Sequence, residues 1–332
     1  MSFGRIKREN QLFFINTSQI LGVQEFSMPK QLGATPLNYL GIGGKTLNQA
    51  FNSIQYTDFS LQSLFIDSEQ FISLTGYQPI NCFIFKNLND TNPYCLTSGY
   101  LTSYSAKYAP NQIPEINTAF RFYNGAGNIP TGNLDINSQY QIQTILLQSS
   151  TGMSSTGFNQ QVANCNFINL TLNESTGNRV IDFSFSIGVD RLPVFNMGSR
   201  TPIRTDIIYP INVSCNVTFE ADDNFSDISL QDFPLNKTQQ YLELDVYSNL
   251  SNQLMGQYQF YNMTLVSNES QMNVDGNLTI SRKYVGQLMN FINDFNPSIN
   301  WDFGMVIQSP GFFLDWGSTT GTPSQYLNFG PI

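Results

Sequence analysis

Apolar and polar residues alternate along much of the chain. Phe183-Ser184-Phe185-Ser186-Ile187 and Leu242-Glu243-Leu244-Asp245-Val246 each place every second side chain on one face, as a strand with one buried and one solvated side requires. This pattern predicts strands over 11–17, 21–28, 54–66, 82–85, 100–108 and 118–123 in the first half. In the second half it predicts 164–172, 180–189, 211–220, 241–247, 257–266 and 276–284. Helical periodicity is weak. The best segments are 229–235 and 285–295, the latter with Leu288, Met289, Ile292 and Phe295 on one side. No run of apolar residues approaches the ~18 that a membrane-spanning helix needs. Met1 to Asn10 carries Arg5, Lys7 and Arg8 without an apolar run after them, which is not the pattern of a secretory signal.

The strand pattern comes twice. Pro36-Leu37-Asn38-Tyr39-Leu40-Gly41 is echoed by Pro193-Val194-Phe195-Asn196-Met197-Gly198, and the same spacing pairs Ile54 with Ile211. Asn87-Leu88-Asn89 anticipates Asn249-Leu250-Ser251, Leu101-Thr102 anticipates Met263-Thr264, and Asn117-Thr118-Ala119-Phe120 anticipates Asn277-Leu278-Thr279-Ile280. The order is shared and the spacing drifts by only a few residues, as loop insertions would leave it. A duplication of a unit of ordinary domain size is the expectation. The Gly/Ser/Thr-rich stretch 149–159 is the expected boundary, because it breaks regular structure. The expected fold is mainly β: two tandem β-sandwich or barrel domains, 1–155 and 156–290, each with at most one short helix, plus long loops. Residues 291–332 form an extended arm, for which docking on a neighbour and wrapping its own domain both stand open.

Composition agrees with strands and polar loops. The 332 residues include 37 Asn and only 8 Ala, with 27 Phe and 16 Tyr. There is no His. That removes Ser–His and Cys–His nucleophile pairs and any zinc site with an imidazole ligand. Cys82, Cys95, Cys165 and Cys215 form no C-x-x-C pair and read as buried free thiols, Cys82 with Cys95 being the one local disulfide to consider. The N-x-S/T triplets, as at Asn16, Asn169, Asn216 and Asn277, follow from composition.

Two short segments invite a chemical reading and fail it. Gly43-Gly44-Lys45-Thr46 lacks the first glycine of a phosphate-binding loop and reads as a flexible loop. Asp222, Asp223 and Asp227 lack the calcium-loop spacing and its closing Glu, so they read as a solvated acidic loop. Asp and Glu could supply paired carboxylates for hydrolysis, yet nothing singles out two of them. The chain is expected not to be an enzyme, and to use no cofactor or metal. Charge is uneven: the first 160 residues balance, and the entire net charge of −9 lies beyond them. An acidic surface gains nothing from counterion release, so it would let DNA pass without binding it. Solubility alone explains the charge equally well.

Three features together resemble the tail tube (major tail) proteins of long-tailed bacteriophages. The first is the opening pair of strands, Phe13-Phe14-Ile15-Asn16 and then Ile20-Leu21-Gly22-Val23-Gln24-Glu25-Phe26-Ser27, similar to the family's G-V-x-x-[FV]-S start. The second is the Gly-rich loop 30–52 followed by the long strand 54–66, and the third is the hairpin around 100–108 and 118–123. The second half resembles the same scheme through Gly188-Val189-Asp190-Arg191, the loop 198–210 and the strand 211–220. The likeness spans most of residues 10–285.

The resemblance implies a structural protein of the virion tail, assembled in the host cytoplasm. Small β-sandwich domains with a helix would form a ring whose inner sheets merge around a DNA channel, and rings would stack into a tube. A duplicated chain would build that ring as a trimer, a pseudo-hexamer. Its partners would be itself and the terminator, baseplate and tape-measure proteins, with DNA passing through unbound and no membrane insertion. Inter-ring contacts would fall to Tyr39, Leu40, Gly41 and Lys45 in the first half and to Phe195, Met197, Arg200 and Arg204 in the second. Asp58, Glu220, Asp222 and Asp223 would face the lumen or solvent. Rival readings are a baseplate hub or ring adaptor, and a jelly-roll capsid or spike protein. A carbohydrate-binding or hydrolytic β protein would expose Trp301 and Trp316, which read instead as packing anchors.

Overall fold

The computed structural model describes residues 11–31, 34–36, 49–51, 56–66, 71, 79–87, 90, 92–123, 126–127, 134–150, 163–172, 175–177, 180–197, 199, 201–220, 240–248, 254–272, 278–288 and 311–315. Over these residues the protein is mainly β. The first half holds β1 (Leu12–Ile15), β2 (Ser18–Ile20), β3 (Val23–Ser27), β4 (Lys30–Gln31), β5 (Ala34–Pro36), β6 (Gln49–Phe51), β7 (Tyr56–Leu64), β8 (Ile80–Phe85), β9 (Tyr94–Tyr108), β10 (Glu115–Phe122), β11 (Ala126–Gly127) and the helix α1 (Ile136–Ser150). The second half holds β12 (Ala163–Leu172), β13 (Ser175–Gly177), β14 (Val180–Gly188), β15 (Arg191–Val194), β16 (Arg204–Ile207), β17 (Ile211–Glu220), β18 (Gln240–Ser248), β19 (Leu254–Met272), β20 (Leu278–Leu288) and β21 (Gly311–Asp315).

Pairing follows one scheme in both halves, antiparallel throughout. In the first, β2, β1, β8, β9, β10, β7 and β3 lie side by side, and β4 continues β3 along β7. In the second, β13, β12, β18, β19, β20, β17 and β14 follow the same order. A hairpin sits at the same place in each, β5–β6 and β15–β16.

The registers match residue by residue. Ser27 opposite Ser60 corresponds to Ser184 opposite Asn216, separations of 157 and 156 residues. Cys82 opposite Leu96 corresponds to Leu242 opposite Phe260, separations of 160 and 164, and Ala119 opposite Ser103 to Lys283 opposite Ser267, both 164. Irregularities recur at matched sites too: between Val23 and Glu25 as between Val180 and Asp182, between Ile80 and Cys82 as between Gln240 and Leu242, and at Thr102 as at Val266. A bulge re-aims and twists its strand. Three matched bulges therefore bend both halves alike.

The halves join through β9 and β14, which pair from Ser103 opposite Gly188 to Tyr108 opposite Phe183. The result is one sheet in the order β3-β7-β10-β9-β14-β17-β20-β19. Strands β1, β8 and β12, β18 fold over one side of it. Phe13 and Phe26 meet edge to face at 5.0 Å across the first pair of layers, and Phe185 and Phe260 at 5.1 Å across the second. The buried core between the layers runs unbroken through both halves, and Tyr108 touches Phe183, Phe185 and Tyr258 at the junction.

All twelve expected strands are present, β9 and β19 being much longer than their patterns suggested. Two helical expectations need correction or lie out of view. Residues Val285 to Leu288 belong to β20, because pairing with Ile211 to Ser214 outweighs a short helical period; 289–295 and 229–235 lie outside the described residues. The helix that forms is α1, in a segment for which the sequence pattern assigned no element. Its last residues, Ser149 and Ser150, are the start of the expected boundary stretch, whose remainder lies outside the described residues. Cys82, Cys95 and Cys215 are free and buried. Cys82 faces the main core and Cys95 the cluster under α1, on opposite faces of their strands, so no bridge forms. Burial pushes the Cys95 thiol up to about 11. The C-terminal arm sends β21 back onto β19 of its own chain, in the slot that β11 takes on β9.

Candidate functional site

The face of the shared sheet turned away from the core spans both halves. Alternation puts Phe59, Leu61, Phe120, Phe183, Phe185, Val213, Cys215 and Val217 inside. Its outward partners are short and polar: Ser60, Ser103, Ser105, Ser184, Ser186, Asn212, Ser214, Asn216, Thr218 and Ser281. They hydrogen-bond across strands. Ser186 Oγ meets Ser214 Oγ at 2.8 Å, Thr218 Oγ1 meets Ser281 Oγ at 3.1 Å, and Gln287 Nε2 donates to Asn212 Oδ1 at 3.2 Å.

Charges on this face are sparse and mixed. Arg121 Nε donates to Asp58 Oδ1 at 2.8 Å, and its guanidinium lies 4.2 Å from the centre of the Tyr56 ring. Burial disfavours the Arg121 charge, but the Asp58 carboxylate outweighs that and leaves its pKa raised. Asp182 is raised by burial and lowered in part by Lys107. With Glu115, Glu220, Lys283 and Glu269 the outward face carries no basic excess. It offers a polyanion hydroxyls and amides without a surplus of cations, so counterion release cannot anchor it there.

Sequence reasoning placed four acidic residues at a lumen or in solvent. Asp58 and Glu220 lie on this face, in β7 and at the end of β17 opposite Thr279. Asp222 and Asp223 lie outside the described residues. Of the expected inter-ring residues, Tyr39, Leu40, Gly41, Lys45 and Arg200 also lie outside them. Phe195, Met197 and Arg204 fall on the β15–β16 hairpin. Met197 is fully exposed at its turn, Phe195 is half-buried, and Arg204 pairs with Asp206 at 3.1 Å. Leu192, Ile203 and Ile208 are exposed on the same hairpin and just beyond it, which gives it an apolar surface that sequence reasoning did not single out.

A second feature missed from sequence is the anchoring of α1. Asp135 caps the helix, its Oδ1 accepting from Ser138 N at 2.6 Å. Buried Asn81 then ties helix to sheet: its Nδ2 donates to Ser138 Oγ at 3.1 Å and Gln141 Oε1 at 2.9 Å, while its Oδ1 accepts from Ser98 N. Asn16, in a left-handed turn, closes the network by accepting from Asn81 N at 3.0 Å. Beneath it Ile142 and Ile145 pack on Phe14, Phe83, Phe85 and Cys95. Each buried Ile contributes about 1.5–3 kcal/mol.

Among the described residues no cluster of Cys, Asp or Glu is arranged to hold a metal ion, and no helix is long and apolar enough to cross a membrane. No protein-family model matches the chain, and no curated protein matches it.

Proposed function

We propose that the protein is a structural component of a bacteriophage tail tube, in which trimers form pseudo-hexameric rings that stack around a DNA channel. The observation that carries this reading is the repeated scheme: two halves of equal topology, register and bulge pattern contribute equal parts to one sheet. An eight-stranded sheet whose two edges have no partner among the described residues suits closure by neighbouring copies, since closure abolishes the edges that otherwise seed aggregation. The hydroxyl- and amide-rich outer face suits a lumen past which DNA slides. The β15–β16 hairpin, with Met197, Leu192 and Ile203 exposed, suits a heterologous contact that propagates from ring to ring.

Other tail components, the terminator, baseplate and tape-measure proteins, would cap or thread such a stack. A baseplate hub or ring adaptor uses the same scheme once per particle, and copy number per virion separates it from the tube. Negative-stain microscopy of the purified chain tests the proposal: hollow stacked rings are expected. A monodisperse monomer at high concentration would overturn it.

A further inference from the structure

Two strand edges are left without a partner among the described residues, and they are counterparts of the two strands that join the halves. β14 pairs on both sides, with β17 and with β9. Its counterpart, β3 with β4, pairs with β7 alone. β9 carries β14 along Ser103 to Tyr108, whereas the matching stretch of β19, Ser267 to Met272, pairs only with β20. We infer that the outer edge of β3–β4 in one copy pairs antiparallel with Ser267 to Met272 of a second copy, in the register that β14 and β9 use within the chain. That sets Phe26 opposite Met272, Ser27 opposite Gln271 and Met28 opposite Ser270. The inference rests on the ring reading and supplies its interface.

Two observations support it. Pro29 stands in the middle of this edge and lacks an N–H, which would block pairing if it faced outward. Its carbonyl accepts from Asp58 N at 3.1 Å, so Pro29 directs its backbone groups toward β7. The outward-facing groups are then those of its neighbours, and the edge is intact. Next, Phe26 and Met28 are only half-buried, while their counterparts Phe183 and Phe185 are fully buried where β9 covers them.

In this register Ser27 and Gln271 form a non-hydrogen-bonded pair, whose Cα atoms approach to about 4.5 Å and so accept a disulfide. The test is the full-length double variant Ser27→Cys with Gln271→Cys, oxidised and run on a non-reducing gel. Both positions are exposed, and a far-UV spectrum like that of the parent verifies folding. A ladder ending at a covalent trimer is expected. Ser27→Cys with Ser270→Cys, shifted by one residue onto opposite faces, should stay monomeric on the same gel. Crosslinks in the predicted pair without stacked tubes in micrographs would uphold the interface and reject the tail reading. Rings in micrographs without that crosslink, or equal crosslinking of the shifted pair, would overturn the interface and leave the tail reading standing. No rings and no crosslink would overturn both.

Discussion

The outer layers of the two halves share a backbone scheme and differ in what they face. In the first half β8 reads Ile80-Asn81-Cys82-Phe83-Ile84-Phe85 and every residue is buried. In the second, β18 alternates, with Leu242, Leu244 and Val246 buried and Glu243 and Asp245 partly exposed. The matched pairs are Phe83 with Glu243 and Phe85 with Asp245. The reason is α1, which covers the first face and so demands apolar residues on both sides of the strand. The same pairing scheme thus tolerates a helix or an acidic surface on its outside, provided the inside keeps its apolar row. Part of the second half's acidic excess lies on this layer.

Exchanging the matched residues should break the comparison most severely. Phe83→Glu places a carboxylate under α1 and should cost about 4 kcal/mol or more, seen as a collapse of the urea midpoint. The mirror change, Glu243→Phe, should shift stability by under about 1 kcal/mol and show itself as added aggregation. Equal losses from both would show that the second outer face is as enclosed as the first.

A smaller effect should come from a size exchange inside the sheets. In the first half Gly99 lies opposite Phe122, and an added Cβ would come to 2.1 Å from that ring. At the matched pair the sizes are reversed: Met263 takes the place of Gly99 and Gly286 that of Phe122, with an added Cβ 2.5 Å from Met263 Sδ. Gly99→Ala should cost about 2–3 kcal/mol, because an enclosed ring has little freedom to move. Gly286→Ala should cost about 1 kcal/mol, since the methionine side chain adjusts. Thermal or urea denaturation of the two variants checks the order.

The smallest effect concerns pH. Asp182 is raised by burial, so the folded state holds its proton more tightly than the unfolded chain does. Its ionisation therefore subtracts stability as pH rises through the folded value, and the penalty disappears as pH falls below it. Its matched residue, Glu25, sits on the open edge. Asp182→Asn should gain less than about 1 kcal/mol at neutral pH and nothing in acid. A pH series of melting temperatures checks this.

How much of this could be read from the chain follows from the same contrast. Alternation located β14, β17 and β18, because one wet face writes polar residues at every second place. The segment 82–85 was located as a strand, but its burial on both sides was not read from the sequence. The helix was illegible: Ile136 to Ser150 is rich in Gln and Ser, and its anchoring rests on Asn81, Ser138 and Gln141, residues that elsewhere in the chain mark turns. The repeat was legible in order but imprecise in register. Leu101 was set against Met263, whereas the ladders match Gly99 to Met263. An error of two residues leaves every side chain on its proper face, so alternation alone cannot expose it. Ile54 was set against Ile211 with a spacing of 157, and the ladders of β7 and β17 give 156. Of the candidate site, Asp58 and Glu220 were placed on the polar face, but the Asp58–Arg121 pair needed three-dimensional adjacency.

The inverted glycine pairs bear on how such halves can drift apart. Moving from Gly–Phe to Met–Gly one substitution at a time leads through two glycines, which leave a hole, or through two large residues, which collide. Neither intermediate is as well packed as the ends. A chain that combined one half's strand with the other half's partner at this spot would therefore meet either the hole or the collision.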